Sequence, residues 1–559
     1  MTKTEYEQSK LSVDKKNNAI INRVMTKIAS TFFITITAIY PLFLGVGGYG
    51  AMHFRKTMFF WIATGIVSLV LLFMLLCVKE RFSMEYYYTE NQPLRRITIA
   101  EWAVLGFISL ALISATVSVT QNPTWINRRF AGAIVWFGEN NRYEGFITFL
   151  CYVMTFVIIA RFYKPKRLHL LLLSGSTILI SLYGVLQFLG IDILGLFPFG
   201  DVYGPLAAPL RTTLGNINFV SAYCAFAVML FSALFTISRS KWKCLYLGAG
   251  ALSFALSLTT GFSGDAHRIA ILGTMVLLIP YWISSRERLG RILITLSSWC
   301  VVYIGYNTYM TEMRRQYETG RVFPTHDHGF VNAYTPPNFA VLAIMALSLL
   351  AAGLALILLL KKWVAEKRMI IAGAVLIPVM LISSLIALEV IGSRLYDRPY
   401  SAIWQARELM HGRIDDDFGS NRGWIWRNAV EIIPDNPILG TGSGTFFHAL
   451  GRDRQLEAVE RYNHTVDKAH NAFLQIAVCM GIPALIAYII FLGSVFIPAI
   501  KRAFKRPILL AFGAAALSYI IQSFFMVEVP IVTPLLWVAL GVMASELWMA
   551  KIRYKSMEV

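Results

Sequence analysis

The sequence predicts an all-α polytopic membrane protein of about fourteen transmembrane helices (12–14), with both termini inside and one large helical loop outside. Three observations lead there. The chain has 559 residues, of which 56% are hydrophobic and only 15% charged, where soluble chains carry roughly 25% charged residues. Apolar runs of about 20 residues, enough to cross a hydrocarbon core, recur along its whole length. Every second connection between those runs is basic, as "KPKR", "KKWVAEKR" and "KRAFKR" illustrate, and basic connections stay on the cytoplasmic side.

The spans fall, in order, near 28–47, 57–78, 98–118, 145–160, 168–189, 217–237, 243–261, 268–285, 292–309, 337–360, 369–391, 471–497, 507–526 and 530–549. The chain then divides into a cytoplasmic basic tail (1–27), a bundle of eleven helices (28–391), a large extracytoplasmic loop (392–470), helices 12–14 (471–549) and a short cytoplasmic tail (550–559). The tail carries no cleavage signature, so the first apolar run is expected to remain as an anchor. With the N-terminus inside, 31 of the 51 Lys and Arg residues lie in short inner segments, which fixes the N-in, C-in orientation. The same basic loops account for the net charge of +19 without a nucleic-acid partner, because no basic soluble domain is present to bind one.

Within the large loop, "YSAIWQARELMHG" and "SNRGWIWRNAVEIIPDNP" read as two helices. The second is expected to start at a capping Ser420 or Asn421 and to stop before Pro434.

The two faces differ in kind of cation. The inner segments hold 17 Lys and 14 Arg; the outer ones hold 18 Arg and only Lys56 and Lys468. Arg grips phosphate or carboxylate through a planar fork, whereas Lys is a point charge. An Arg-rich outer face suits a phosphate-bearing ligand. Ion pairing is the plainer explanation, since the large loop has ten basic residues against eleven acidic ones.

Several motifs carry less than they first suggest. "GTGSG" (Gly440–Gly444) lacks the Gly-Lys-Ser/Thr of a phosphate loop and reads as a flexible turn. Asp415–Asp417 has the oxygen ligands of a divalent-metal site but reads as a solvated acidic turn, so no metal and no cofactor are expected. The six cysteines are scattered in or beside apolar runs, which gives neither a disulfide framework nor a zinc site. Glu101, Glu389 and Glu528 are the few acids near spans, and their scarcity counts against an ion-coupled transporter.

Four polar sites share the outer face. "RTTLGNINF" brings Arg211, Asn216 and Asn218 to the start of the sixth span; "GDAHRIAIL" brings His267 and Arg268 to the eighth; "NRGWIW" brings Arg422 into the large loop; "DKAHNAFLQ" brings His470 and Asn471 to the twelfth. Helix N-termini there point outward, which favours an anion. Individually these residues read as helix caps, snorkelling arginines and surface histidines.

Together they resemble the O-antigen ligase and polymerase superfamily of bacterial membrane proteins. "GNINF" is similar to a favoured Gly-Asn-Pro-Asn, with Ile217 in place of Pro; "HRIAIL" to Ser-Arg followed by small residues, with His267 in place of Ser; "RGWIW…NPILGTGSGTF" to Arg-x3-Trp and Pro-x-x-Gly-x-Gly. His470-Asn471-x9-Gly481 is the most specific, with Ala484 where Gly, Thr or Tyr is common. The motifs cover Arg211 to Gly481.

The resemblance implies an inverting glycosyltransferase in the bacterial cytoplasmic (inner) membrane, working on the extracytoplasmic face. Its donor is a glycan on a polyisoprenyl (undecaprenyl) pyrophosphate. Its acceptor is a hydroxyl on a glycan, lipid, wall polymer or protein. It implies His470 as general base and Arg211, Arg268 and Arg422 as pyrophosphate ligands, with Asn216, Asn218, His267 and Asn471 in support. A polysaccharide polymerase of the same superfamily and a lipid-linked glycan flippase are the alternatives. A metal-dependent glycosyltransferase of another fold is disfavoured, because the first outer loop, "GGYGAMHFRK", has no acid.

Overall fold

In the computed structural model, residues 3–45, 48–77, 97–121, 128–139, 142–196, 212–260, 265–319, 336–360, 363, 366–394, 402–526 and 528–555 are described. The N-terminal half contains α1 (Lys3–Ile34), α2 (Gly48–Leu76), α3 (Ile99–Gln121), α4 (Arg128–Phe137), α5 (Phe146–Phe162), α6 (Arg167–Phe188), α7 (Ile217–Ile237), α8 (Lys243–Leu258), α9 (Asp265–Leu277) and the single turn α10 (Ile279–Trp282). Next come the long α11 (Arg286–Glu318), α12 (Phe339–Leu358) and α13 (Glu366–Ser393). The large loop holds α14 (Ala402–Met410), α15 (Phe418–Ile432), the short α16 (Phe446–Ala449) and α17 (Arg452–Tyr462). Four helices close the chain: α18 (Ala472–Met480), α19 (Ile482–Arg502), α20 (Pro507–Ser523) and α21 (Pro534–Lys555).

Each expected span is helical. Among the described residues, nine helices have the length and hydropathy of a membrane crossing, and five shorter apolar helices accompany them. The protein is a helical membrane protein. Helix α7 is its hub, with 94% of its apolar window buried against α8, α9, α11 and α20. By contrast α12 and α13 turn Leu347, Leu358, Ile371 and Ile386 outward. In water that surface would be costly; against lipid tails it is matched.

Three expectations change. Helix α1 begins at Lys3, so the basic tail is largely helical. The eighth span stops at Leu277, and Pro280 opens the separate turn α10, because proline cannot donate the hydrogen bond a continuous helix needs. The twelfth is broken in two at Gly481, whose φ of +87° is left-handed territory that only glycine enters cheaply.

That break is filled by the supposed flexible turn, which is in fact a fixed strap. Pro437 accepts from the Ile482 N–H at 2.8 Å, while Thr441 and Gly442 donate to the Val478 and Cys479 carbonyls at 3.0 and 2.8 Å. A fourth bond, from Ser114 Oγ of α3, reaches Cys479 O at 3.1 Å. Backbone groups freed by a broken helix inside a membrane must find such partners. The large loop is thereby fastened to the bundle where α18 meets α19.

Four helices, α3, α5, α19 and α21, set the frame around this junction. Helix α3 packs on α19, and α5 packs on α21, α2 and α3. Phe156 meets Phe491 edge-on at 4.8 Å, Phe107 meets Tyr488 at 5.5 Å, and Tyr152 stacks on Trp537 at 5.8 Å. At the end away from the loop, Arg161 and Glu101 pair at 2.8 Å. This packing brings the segment before α5 beside the segment before α18.

A Cβ at Gly481 would collide with the Ile438 carbonyl oxygen, whereas one at Gly248 meets nothing within 4 Å. Gly481→Ala is therefore expected to destabilise the protein by about 2 kcal/mol or more, and Gly248→Ala to be neutral or stabilising. Thermal unfolding of the purified variants in detergent checks both.

Candidate active site at the loop–membrane junction

The stretch Asp467–Asn471 has almost no freedom. Asp467 Oδ2 accepts from Arg142 Nε at 2.6 Å. Lys468 Nζ donates to Glu144 Oε2 at 2.9 Å, with both side chains out of contact with solvent. The Ala469 N–H donates to Gln475 at 3.0 Å, and its carbonyl accepts from Trp426 Nε1 at 3.1 Å. Asn471 caps α18, its Oδ1 accepting from the Phe473 and Leu474 N–H groups at 2.9 and 3.1 Å. Just upstream, Gln455 of α17 bonds both the N–H and the carbonyl of Val466.

His470 sits between these anchors with a left-handed φ of +48°. Non-glycine residues adopt that conformation at some cost, and it recurs at functional positions. Its Nδ1 is buried and has no hydrogen-bond partner among the described residues. Burial, and next the charge of Arg422, depress the imidazole pKa to about 4, while Asp467 acts in the opposite sense. His470 is thus neutral at pH 7. The Asp467 carboxyl is held below its ordinary range: burial opposes this, but Arg142, Lys468 and His470 outweigh it. Burial raises Glu144, with Lys468 opposing.

Arg422 is positioned by a strained turn. Helix α15 does not start at a capping Ser420 or Asn421. Gly419, Ser420 and Asn421 instead have φ values of 60°, 61° and 68°, and regular helix begins after them. The guanidinium donates from Nε to the Phe525 carbonyl at 3.0 Å, from Nη1 to the Gly419 carbonyl, and approaches Met526 Sδ at 3.9 Å. All three acceptors are neutral. Among the described residues no carboxylate pairs with Arg422, and burial lowers its pKa. A largely buried cation without a counter-charge is a ready anion site.

The other expected residues divide. Arg211 lies outside the described residues. Asn216 caps α7, its Oδ1 accepting from the Asn218 N–H at 2.8 Å. Asn218 lies on the first turn of α7. His267 is fully buried, with Nε2 3.1 Å from the Ser257 carbonyl. Arg268 lies half-buried on the first turn of α9, which packs on α20. A Cβ at Gly273 would lie 3.9 Å from Ile521. Asp416, the middle residue of the acidic run, binds Arg427 and Arg461 at 2.8 and 2.9 Å.

Arg142, Glu144, Asp467 and Lys468 were not anticipated as site residues. The available signal was the density of charge in "ENNRYEG" and "DKAH", in a chain otherwise poor in charge. Two further helices of the loop, the short α16 and α17, were missed as well.

Residues 340–489 match the family model described as O-antigen ligase. The match covers 150 of the 559 residues. The matched segment holds Arg422, His470 and Gly481, and it supports placing the chain in the O-antigen ligase and polymerase superfamily, whose members are lipid-linked glycan transferases. No curated protein matches the sequence.

Removing one member of the buried Lys468–Glu144 pair leaves the other charge uncompensated. Glu144→Leu or Lys468→Met alone is expected to cost about 3–5 kcal/mol, and the double variant to recover most of it. Thermal unfolding of the three variants measures this.

Proposed function

We propose that this protein is an O-antigen-ligase-like inverting glycosyltransferase. It crosses the cytoplasmic membrane fourteen times, with both termini inside, and transfers a glycan from a polyisoprenyl pyrophosphate to an acceptor hydroxyl on the outer face. The observation that carries this reading is a buried neutral His470 in the field of an uncompensated Arg422, at the point where the large loop re-enters the bundle.

The chemistry follows from those two groups. Outside the cell no nucleotide sugar is at hand, so the donor must bring its own leaving group. Pyrophosphate is one, and preorganised guanidinium groups stabilise the charge that develops on it. Arg422 is the best supported ligand, with Arg268 from α9 and Arg211 as further ones. The acceptor oxygen attacks the anomeric carbon from the face opposite the pyrophosphate. Its proton passes to His470 as the new C–O bond forms. The old C–O bond breaks with its electron pair leaving on the lipid pyrophosphate, so the anomeric configuration inverts. Asp467 then stabilises the imidazolium. Asn216, Asn218, His267 and Asn471 support the geometry without touching the reacting atoms.

Arg422 also links binding to basicity. Its charge depresses His470 in the empty site, so an anion bound to it raises the imidazole pKa toward the working pH, where a general base is most effective. The base is armed by its donor.

Transfer onto another lipid-linked unit, the polymerase reading, differs only in the acceptor; products that lengthen with time would identify it. A flippase has no use for a base. His470→Ala is expected to lower the turnover of purified protein by roughly 10²–10⁴-fold while donor binding persists; unchanged transfer would rule the base out. Arg422→Gln removes a charge that depresses His470. The acid limb of kcat/KM, near pH 4 in the parent enzyme, is therefore expected to move upward. A pH–rate profile reads this shift.

A further inference from the structure

A cavity of about 200 Å³ opens in the large loop between α14 and α15. It is smaller than pockets for drug-sized ligands, roughly 300–1,000 Å³, and matches a single sugar ring. It is lined by Trp404, Phe418, Gln405, Asp415 and Asp417, together with Glu408 and Arg413, which pair with each other.

The charges sort cleanly. Glu408 is neutralised by Arg407 at 3.0 Å and Arg413 at 2.7 Å. Asp416 is taken by Arg427 and Arg461. Asp415 and Asp417, which flank it, form no ion pair among the described residues. One oxygen of Asp415 accepts from the Asp416 N–H at 2.7 Å, leaving the other oxygen. Gln405 Oε1 accepts from the Gly419 N–H at 3.2 Å, leaving its NH₂ group to donate. The cavity therefore offers hydroxyl acceptors, an amide donor and aromatic surface, with net negative charge. A pyranose has the matching chemistry: a rim of hydroxyl donors around apolar C–H faces that pack on aromatic rings.

The cavity also shares a wall with the candidate active site. Phe418 opens the left-handed turn that ends at Arg422. It contacts Trp426, with ring centroids 5.9 Å apart, and Trp426 bonds the carbonyl of Ala469, next to His470. Phe418 and Arg422 are four positions apart, so even a fully extended chain would put them within about 14 Å, the length of a few sugar units.

We propose that this cavity is a saccharide subsite for a neutral or amino-sugar ring, and that its two free carboxylates exclude uronic acids. The assignment to transfer rests on the glycosyltransferase reading; the binding itself does not. The ring can belong to the donor glycan or to the acceptor.

The test is saturation-transfer NMR on the full-length protein in detergent micelles, with the methyl glycosides of glucose, N-acetylglucosamine, glucosamine and glucuronic acid. Transfer is expected to at least one of the first three and not to the glucuronide. Trp404→Ala and Asp417→Asn should each weaken it roughly three- to tenfold. Asp417 is solvent-exposed, so its variant keeps the test meaningful should the tryptophan variant misfold. No transfer to the first three, strongest transfer to the glucuronide, or undiminished transfer in both variants would overturn the proposal. His470→Ala should leave binding intact, which separates failure of the subsite from failure of the catalytic reading. In a transfer assay, Asp417→Asn should raise KM for the donor if the ring is the donor's, and for the acceptor if it is the acceptor's. Neither rising would detach the cavity from the reaction.

Discussion

The ion pair between Lys468 and Glu144 is the contact on which the junction of the large loop with the bundle depends. Both side chains are withdrawn from water, and a buried charge without its partner costs several kcal/mol. The pair therefore forms only if the segment before α5 and the segment before α18 arrive together. Arg142 and Asp467, at 2.6 Å, repeat the constraint one step outward. With these two bonds made, the Asn471 cap and the Ala469 bonds leave His470 one place to go. Such a pair adds little net stability, but it specifies the geometry around His470.

The same economy of charge shapes the chemistry. Most arginines of the large loop are paired: Arg407 with Glu389 and Glu408, Arg427 and Arg461 with Asp416, Arg454 with Glu431. Arg422 is held by two carbonyls and a sulfur instead. That difference separates a structural arginine from one able to receive an anion, and composition alone does not reveal it. Among the described residues most arginines of the loop are thus structural, and Arg422 is a largely buried one that no carboxylate compensates.

Much of the fold was legible because hydropathy and basic loops act locally. The apolar runs became helices, and Asn216 and Asn471 became the helix caps their positions implied. The misses have physical causes. The clasp joins residues 324 and 325 positions apart, and one sequence carries no signal for such pairing. The break at Gly481 is invisible because "AFLQIAVCMGIPALIAYII" stays apolar across it; only the strap bonds and the positive φ disclose it. Helix α17, "RDRQLEAVERY", is polar on most of its surface, and its short apolar face is outweighed by charge. Around the candidate site, His470 and Arg422 were singled out from motifs, whereas Arg142 and Glu144 were not.

The central claim is that burial and the field of Arg422 keep His470 neutral until an anion arrives. Titration of His470 by ¹⁵N NMR in selectively labelled protein tests it most directly. The account predicts a midpoint near 4 in the empty site and a higher one when a pyrophosphate-bearing lipid is bound. A midpoint at or above the usual histidine value of about 6.5 in the empty site, or one that ignores the lipid, would contradict it.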